Sequence, residues 1–293
     1  MSQIPGGLPD CTTLALRRAR EALHVTLHRP EVRNAMSLRM VEEVRAVFGA
    51  VREDRGVRAV VLRGAGGHFC AGADLKDLAA GREAAAWADY SRRFGRMIAE
   101  VEAAPQVVIA LLEGAVLGGG LGLACAADVA IAEAGVRLGL PETTRGIPPA
   151  QIAPAVVRRV GLSQARRLAL LGLRLDAAEA ARIGLVHEVA HGTAALEAAA
   201  EAALANVRQC APGANAATKA LLLAAAREPA DAMIERAAAA FAEAVTGPEG
   251  QEGTAAFVAK RSPRWVTSAG PASLDRSEPG VRGAGLHRPP GDE

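Results

Sequence analysis

The chain reads as an α/β protein whose N-terminal half alternates strands and helices around a largely parallel sheet, followed by a helical C-terminal part. Three observations lead there. Apolar runs of buried-strand length occur at Val57–Leu62 and Gln106–Leu112, and helical apolar periods lie between the strands. After about residue 150 strand signals nearly vanish and Ala-rich segments take over.

The elements follow in order. Over residues 20–28, Leu23, Val25 and Leu27 alternate with His24, Thr26 and His28, the pattern of a strand with one covered face. Residues 38–51 switch to helical spacing, with Met40, Val41, Val44, Phe48 and Val51 on one stripe. The strand at Val57–Leu62 runs into the glycine turn Gly64-Ala65-Gly66-Gly67. Trp87, Tyr90, Phe94, Met97 and Val101 mark a second amphipathic helix, Gln106–Leu112 a buried strand, Gly118–Ala126 a glycine-led helix start and Asp128–Ala132 another strand. This alternation implies β-α-β units. Asp176-Ala177-Ala178-Glu179 is a capping box, with Gly184 placed to stop its short helix. Helices are then expected over about 192–208, 213–227 and 229–245. The domain reading is an N-terminal lead at 1–11, a core at 12–190, a helical region at 191–266 and a tail at 267–293. That tail is rich in Pro, Gly, Ser and Arg and is expected to be disordered.

Composition excludes several function classes. The 293 residues carry 34 Lys and Arg against 32 Asp and Glu, and a net charge of +2 is too small for a phosphate-attracting field. Only 3% of residues are aromatic, which disfavours base-stacking platforms. No nucleic-acid partner is expected. Cys11, Cys70, Cys125 and Cys210 lie far apart without ligand spacing, so neither a structural metal nor a disulfide framework is expected. The N-terminus lacks a secretory pattern, and the longest uncharged apolar stretch, Ala115–Ala127, is too short to span a bilayer. A cytoplasmic protein without membrane association is the expectation.

No GxSxG elbow, phosphate loop or HExxH is present. Two segments instead place small residues where a fold normally places bulk: His68-Phe69-Cys70-Ala71-Gly72-Ala73-Asp74-Leu75-Lys76, after a strand, and Gly118-Gly119-Gly120-Leu121-Gly122, at a helix start. Small side chains let peptide N–H groups approach a ligand, and a helix N-terminus offers unpaired donors. One N–H from each segment would make a pair aimed at an oxyanion. A tight turn with close helix–strand packing accounts for the same residues.

His28-Arg29-Pro30-Glu31-Val32-Arg33-Asn34-Ala35-Met36, Phe69 through Lys76, Gly114 through Gly120 and Leu140-Pro141-Glu142 stand in the order and spacing of the crotonase (enoyl-CoA hydratase/isomerase) superfamily. The resemblance covers about residues 12–265. It implies a crotonase-like ββα spiral core with a C-terminal helical trimerisation region, and an acyl-CoA thioester substrate. It maps the oxyanion donors onto the amides of Ala73 and Gly119. Arg33, Ala71, Asp74 and Leu75 match segments that grip CoA; Phe257 and Lys260 match a C-terminal helix reaching the nucleotide end, although a solvated basic face also explains Lys260. CoA enters with the substrate, so no separate cofactor is implied. A homotrimer or dimer of trimers is expected, and the low bulk of the Ala-rich helices agrees with packing on a neighbour.

The departure from the family pattern concerns acid–base groups. Many hydratases of this superfamily carry two catalytic glutamates; here one position is Gly122 and the other is Glu142. A lone carboxyl suits either activation of water for addition at C3 or movement of a proton along an enoyl chain. The stretches Pro141–Pro154 and Cys210–Lys219 resemble the branch that hydrates 3-methylglutaconyl-CoA and isohexenylglutaconyl-CoA. Gly122 is expected to leave room for a substrate branch, which would make it a substrate-binding position. Arg145 is the nearest candidate in sequence for a substrate carboxylate, unless it is a plain surface arginine. An enoyl-CoA isomerase and a non-catalytic acyl-CoA binder are the alternatives.

Overall fold

The computed structural model describes residues 7–74 and 83–266. Its main sheet has the order β1-β2-β3-β4-β6-β9, from β1 (Leu14–Ala19), β2 (Ala22–Leu27), β3 (Ala59–Gly64), β4 (Val107–Leu112), β6 (Val129–Glu133) and β9 (Glu188–Ala190). Every pairing is parallel except β1 with β2. A smaller sheet joins β5 (Ala115–Leu117), β7 (Arg137–Gly139) and β8 (Arg174–Leu175).

The strand period of two divides the main sheet between two cores. Leu23, Val25, Leu27, Val60, Leu62, Val108 and Leu112 face one side, under α1 (Leu38–Val51) and α2 (Ala84–Glu102). Ala59, Val61, Ile109, Leu111 and Ile131 face the other, covered by Leu196, Ala200 and Leu204 of α6 (Thr193–Gln209). Both faces are therefore dry, as a largely parallel sheet requires. The buried residues of α3 (Gly119–Ala126), α4 (Ala153–Leu170, interrupted at Gly161) and α5 (Ala177–Arg182) join the core on the α1 and α2 side. Asp176 caps α5 by accepting from the Glu179 amide at 2.9 Å, and Gly184 follows with φ of 76°.

Five strands escape the apolar pattern. β1 is antiparallel, at the sheet edge, and its Arg17-Arg18 pair breaks the alternation; it joins β2 through Arg20-Glu21, which lacks the usual Asn-Gly or Asp-Gly turn signal. β5, β7 and β9 are three residues long and β8 two, all too short to show a period. The strand expected over 20–28 is β2 alone.

The C-terminal helices α7 (Pro212–Ala225), α8 (Ala230–Thr246) and α9 (Pro248–Val258) are attached by polar clamps more than by apolar burial, since neither α7 nor α8 has a buried residue. Lys219 of α7 reaches the carboxylate of Asp128 and the carbonyl of Gln106. Arg58, just before β3, spreads its guanidinium over the carbonyls of Val207 (2.7 Å), Arg208 (3.1 Å), Cys210 and Trp265 (2.9 Å). It closes the C-terminal end of α6, where carbonyls lack helical partners. Arg58→Met removes these donors at once. It is expected to destabilise the chain by about 1–3 kcal/mol, seen as a thermal midpoint lower by several degrees and as earlier proteolytic release of α7 to α9.

Candidate active site

The segment Phe69–Asp74 threads between two others. On one edge, Phe69 N–H donates to Glu113 O (2.8 Å), Cys70 N–H to Ala115 O (2.9 Å) and Leu117 N–H to Cys70 O (2.9 Å). On the opposite edge, Ala71 N–H donates to Arg33 O (3.0 Å), Met36 N–H to Gly72 O (2.8 Å) and Asp74 N–H to Met36 O (3.0 Å). Met36 thus pairs with the residues on either side of Ala73. Peptide groups alternate direction along an extended chain, so the Ala73 N–H points away from Met36, toward the start of α3.

There it meets Gly119. A Cβ placed on Gly119 would lie 3.9 Å from Ala73 N and 3.0 Å from Phe94 Cζ. Gly119 is the first residue of α3, so its amide has no partner within the helix. Among the described residues, neither the Ala73 nor the Gly119 N–H donates to a protein acceptor. Two adjacent free amides, one at a helix N-terminus, favour negative charge on a shared acceptor.

Glu142 stands beside them. It opens a 3-10 turn, Glu142–Arg145, directly after β7, held by Thr144 Oγ1 donating to Pro141 O (2.7 Å) and Thr143 Oγ1 to Ala169 O (2.8 Å). Its Oε1 lies where a Cβ on Gly118 would fall, and Gly118 adopts φ of 53°. Only glycine satisfies both the backbone and the approach. The carboxyl is buried, its Oε2 has no hydrogen-bond partner, and it forms no ion pair among the described residues. Burial raises its pKa above the ordinary value; its own peptide N–H and the charge of Arg145 pull in the opposite direction and do not prevail. An acid–base group with a raised pKa thus stands next to an anion-stabilising pair.

The other expected site residues are dispersed. Arg33 is exposed and meets the site only through its carbonyl on Ala71, which is half-buried. Asp74 is buried and its carboxylate pairs with Arg29 Nη2 at 2.8 Å, so that side chain anchors the Ala73 segment. Leu75 lies outside the described residues. Phe257, 86% exposed, and Lys260 sit at the far end of α9, where no hydrogen bond or ion pair among the described residues joins them to Glu142, Ala73 or Gly119.

Gly122 requires a correction. The space expected beside it is filled by Ile152: a Cβ on Gly122 would stand 2.9 Å from Ile152 Cγ2 and 3.2 Å from Cγ1. Ile152 is buried at the start of α4, and its β-branched side chain has little rotamer freedom to yield. The second acid–base position is therefore closed by an apolar wall. Sequence spacing marks neither Ile152 nor Phe94 as a residue of the site. Helical period places Phe94 on the buried face of α2 without revealing that it abuts Gly119.

The enoyl-CoA hydratase/isomerase family profile matches residues 18–268. The chain belongs to that family. Among solved structures, Pseudomonas aeruginosa AtuE is 58% identical, with 87% of this chain and 100% of that chain covered at a TM-score of 0.86. An enoyl-CoA hydratase/isomerase from Marinobacter aquaeolei is 52% identical, with 88% and 100% covered at a TM-score of 0.84. The mitochondrial enoyl-CoA hydratase domain-containing protein 2 of Mus musculus is 34% identical over 269 residues, 88% of this chain and 89% of the relative. The fold of this enoyl-CoA hydratase/isomerase family member is accordingly the crotonase fold, and its substrate is an acyl-CoA thioester.

The Gly122–Ile152 contact is open to a double-mutant cycle. Helix propensity alone favours Gly122→Ala by about 1 kcal/mol, so a net loss reports the clash. Gly122→Ala is expected to destabilise by about 1–3 kcal/mol in denaturant unfolding. Combined with Ile152→Ala it should be better tolerated, with a coupling of about 0.5–3 kcal/mol; additive effects would show that the two residues do not compete for space.

Proposed function

We propose that this family member hydrates a branched, carboxylate-bearing 2-enoyl-CoA of the 3-methylglutaconyl-CoA or isohexenylglutaconyl-CoA type. One observation carries the reading. A buried, unpaired Glu142 carboxyl with a raised pKa lies against Gly118, one residue before the second of two free amides. The thioester C1 oxygen accepts from the amides of Ala73 and Gly119. Glu142 removes a proton from water as its oxygen bonds to C3, and the C2=C3 electron pair moves toward C1 to form the enolate. The pair stabilises that charge more than the ground-state carbonyl, by about 3–4 kcal/mol per donor in comparable sites. Protonation at C2, by the Glu142 carboxyl now holding the proton or by solvent, completes addition of H and OH across the double bond.

Support for the acyl group comes from the stretches Pro141–Pro154 and Cys210–Lys219, and from Arg145, whose charge acts on Glu142 and suits a substrate carboxylate. CoA enters with the substrate, so the chemistry calls for no separate cofactor, and a cytoplasmic location stays part of the reading. A homotrimer or dimer of trimers is supported by the exposed Leu222, Ile234, Phe241, Phe257 and Val258 and by an apolar groove of about 830 Å³ among α7, α8 and α9.

A second reading, an enoyl-CoA isomerase, is favoured by the Ile152 wall, which leaves Glu142 as the one carboxyl at the amide pair among the described residues. Loss of the conjugated-thioester absorbance with 3-methylglutaconyl-CoA or its isohexenyl analogue supports hydration. Turnover of a 3-enoyl-CoA with neither of these hydrated selects the isomerase, and binding of all three without turnover selects an acyl-CoA binder.

Glu142→Gln is expected to lower kcat on the order of 10²–10⁴-fold. In the parent, the acid limb of the kcat/KM profile should fall above the ordinary carboxylate pKa, because the base acts ionised. The stability effect has the opposite sign from that of a salt-bridged acid. With the folded pKa raised, the folded state binds more protons than the unfolded state between the two pKa values, so parental stability falls as pH rises through that window. Glu142→Gln should therefore gain thermal stability relative to the parent at neutral pH and lose the gain below the unfolded-state pKa.

A further inference from the structure

We propose that Asn34 is a positioning residue for the oxyanion pair, acting through the segment that carries Ala73. The proposal rests on the reading that the Ala73 N–H receives the thioester oxygen. Asn34 has no exposed surface and adopts φ of 56°, in the left-handed region that few residues other than glycine and asparagine enter. Its amide is used in three directions. Oδ1 accepts from Arg29 N–H at 2.9 Å, and Nδ2 donates to Ala65 O at 2.8 Å and to His68 O at 2.7 Å. The last two carbonyls belong to the turn that leads from β3 into Phe69–Asp74.

The residues flanking Asn34 hold the far end of the same segment. Arg33 O takes the Ala71 N–H, and Met36 bonds Gly72 and Asp74. Arg29 adds two bonds, Nη1 to Ala35 O at 2.7 Å and Nη2 to Asp74 at 2.8 Å. The stretch 29–36 is therefore a splint along the Ala73 segment, and Asn34 sets its shape while tying it to the entry turn. None of these groups points at Glu142 or at the free amides. Their effect on the reaction runs through where the Ala73 N–H points, and an oxyanion donor misplaced by about 1 Å loses on the order of 10²-fold in rate.

The test compares the parent with Asn34→Ala, Asn34→Asp and Arg29→Gln in the full chain. Each is assayed for kcat and KM on whichever enoyl-CoA the parent turns over. Each is also examined by infrared difference spectroscopy of bound butyryl-CoA isotopically labelled at C1. Loss of the Nδ2 donors is expected to lower kcat by about 10–100-fold with KM within about threefold, and to return the carbonyl band toward its free position. Arg29→Gln, which keeps the Asn34 bonds, should show a smaller loss of about three- to tenfold and a partial band shift. Folded Asn34 variants with parental kcat and a parental carbonyl band overturn the proposal. If Asn34→Ala and Asn34→Asp do not fold, Asn34→Gly decides, since it keeps the left-handed backbone and lacks the Nδ2 donors; parental kcat and a parental band in that variant overturn the proposal. A parent that leaves the carbonyl band at its free position removes the oxyanion reading and the proposal together, which separates that failure from the failure of Asn34 alone.

Discussion

The convergence of the Ala73 and Gly119 amides is the constraint on which the rest of the site depends. One amide is freed because Met36 bonds the residues on either side of Ala73 and leaves the middle peptide facing outward. The other is free because a helix begins there. Neither donor is a side chain, so the arrangement survives only while the Phe69–Asp74 segment stays threaded between the 33–36 stretch and β5. Much of the local polar bonding, from Asn34 and Arg29 to the ladder itself, holds that thread in place. Preorganised dipoles of this kind need little rearrangement when charge develops.

Glu142 shows the opposite use of burial. A carboxyl without a hydrogen-bond partner for one oxygen is destabilising in its charged form, and the fold places it there with only its own amide and the exposed Arg145 in opposition. Positive φ at Gly118 and the 3-10 turn after β7 bring it against the amide pair. Across α3, Ile152 closes the space beside Gly122. The wall leaves no room beside Gly122 for a longer side chain as the structure stands.

The C-terminal helices follow a different logic. α7 and α8 bury nothing fully within the chain, and they are held by Lys219 on Asp128, by Arg58 on the end of α6, and by Glu249 of α9 accepting from the Gly213 and Ala214 amides. Their apolar side chains remain on the surface, with Phe241 at 71% exposure. Polar clamps fix orientation, while the apolar side chains of these helices stay exposed within the single chain.

The amino-acid order by itself determined the elements whose period is long enough to read. Met40, Val41, Val44, Phe48 and Val51 lie on the buried face of α1, and Leu23, Val25 and Leu27 on the covered face of β2, because burial repeats every three to four or every two residues. The two small-residue segments were also legible, since bulk missing after a strand or at a helix start stands out in one dimension, whereas Glu142 was marked only by resemblance to the family pattern. β1, β5, β7, β8 and β9 were not legible, being irregular or too short for a period. The pairing of Ala73 with Gly119 was expected through family resemblance, but only the tertiary structure decided that Asp74 is spent on Arg29 and that Ile152 occupies the place beside Gly122. Periodicity records that a residue is buried and says nothing of what it is buried against, because that partner lies tens of residues away along the chain and is brought near only by the packing of layers.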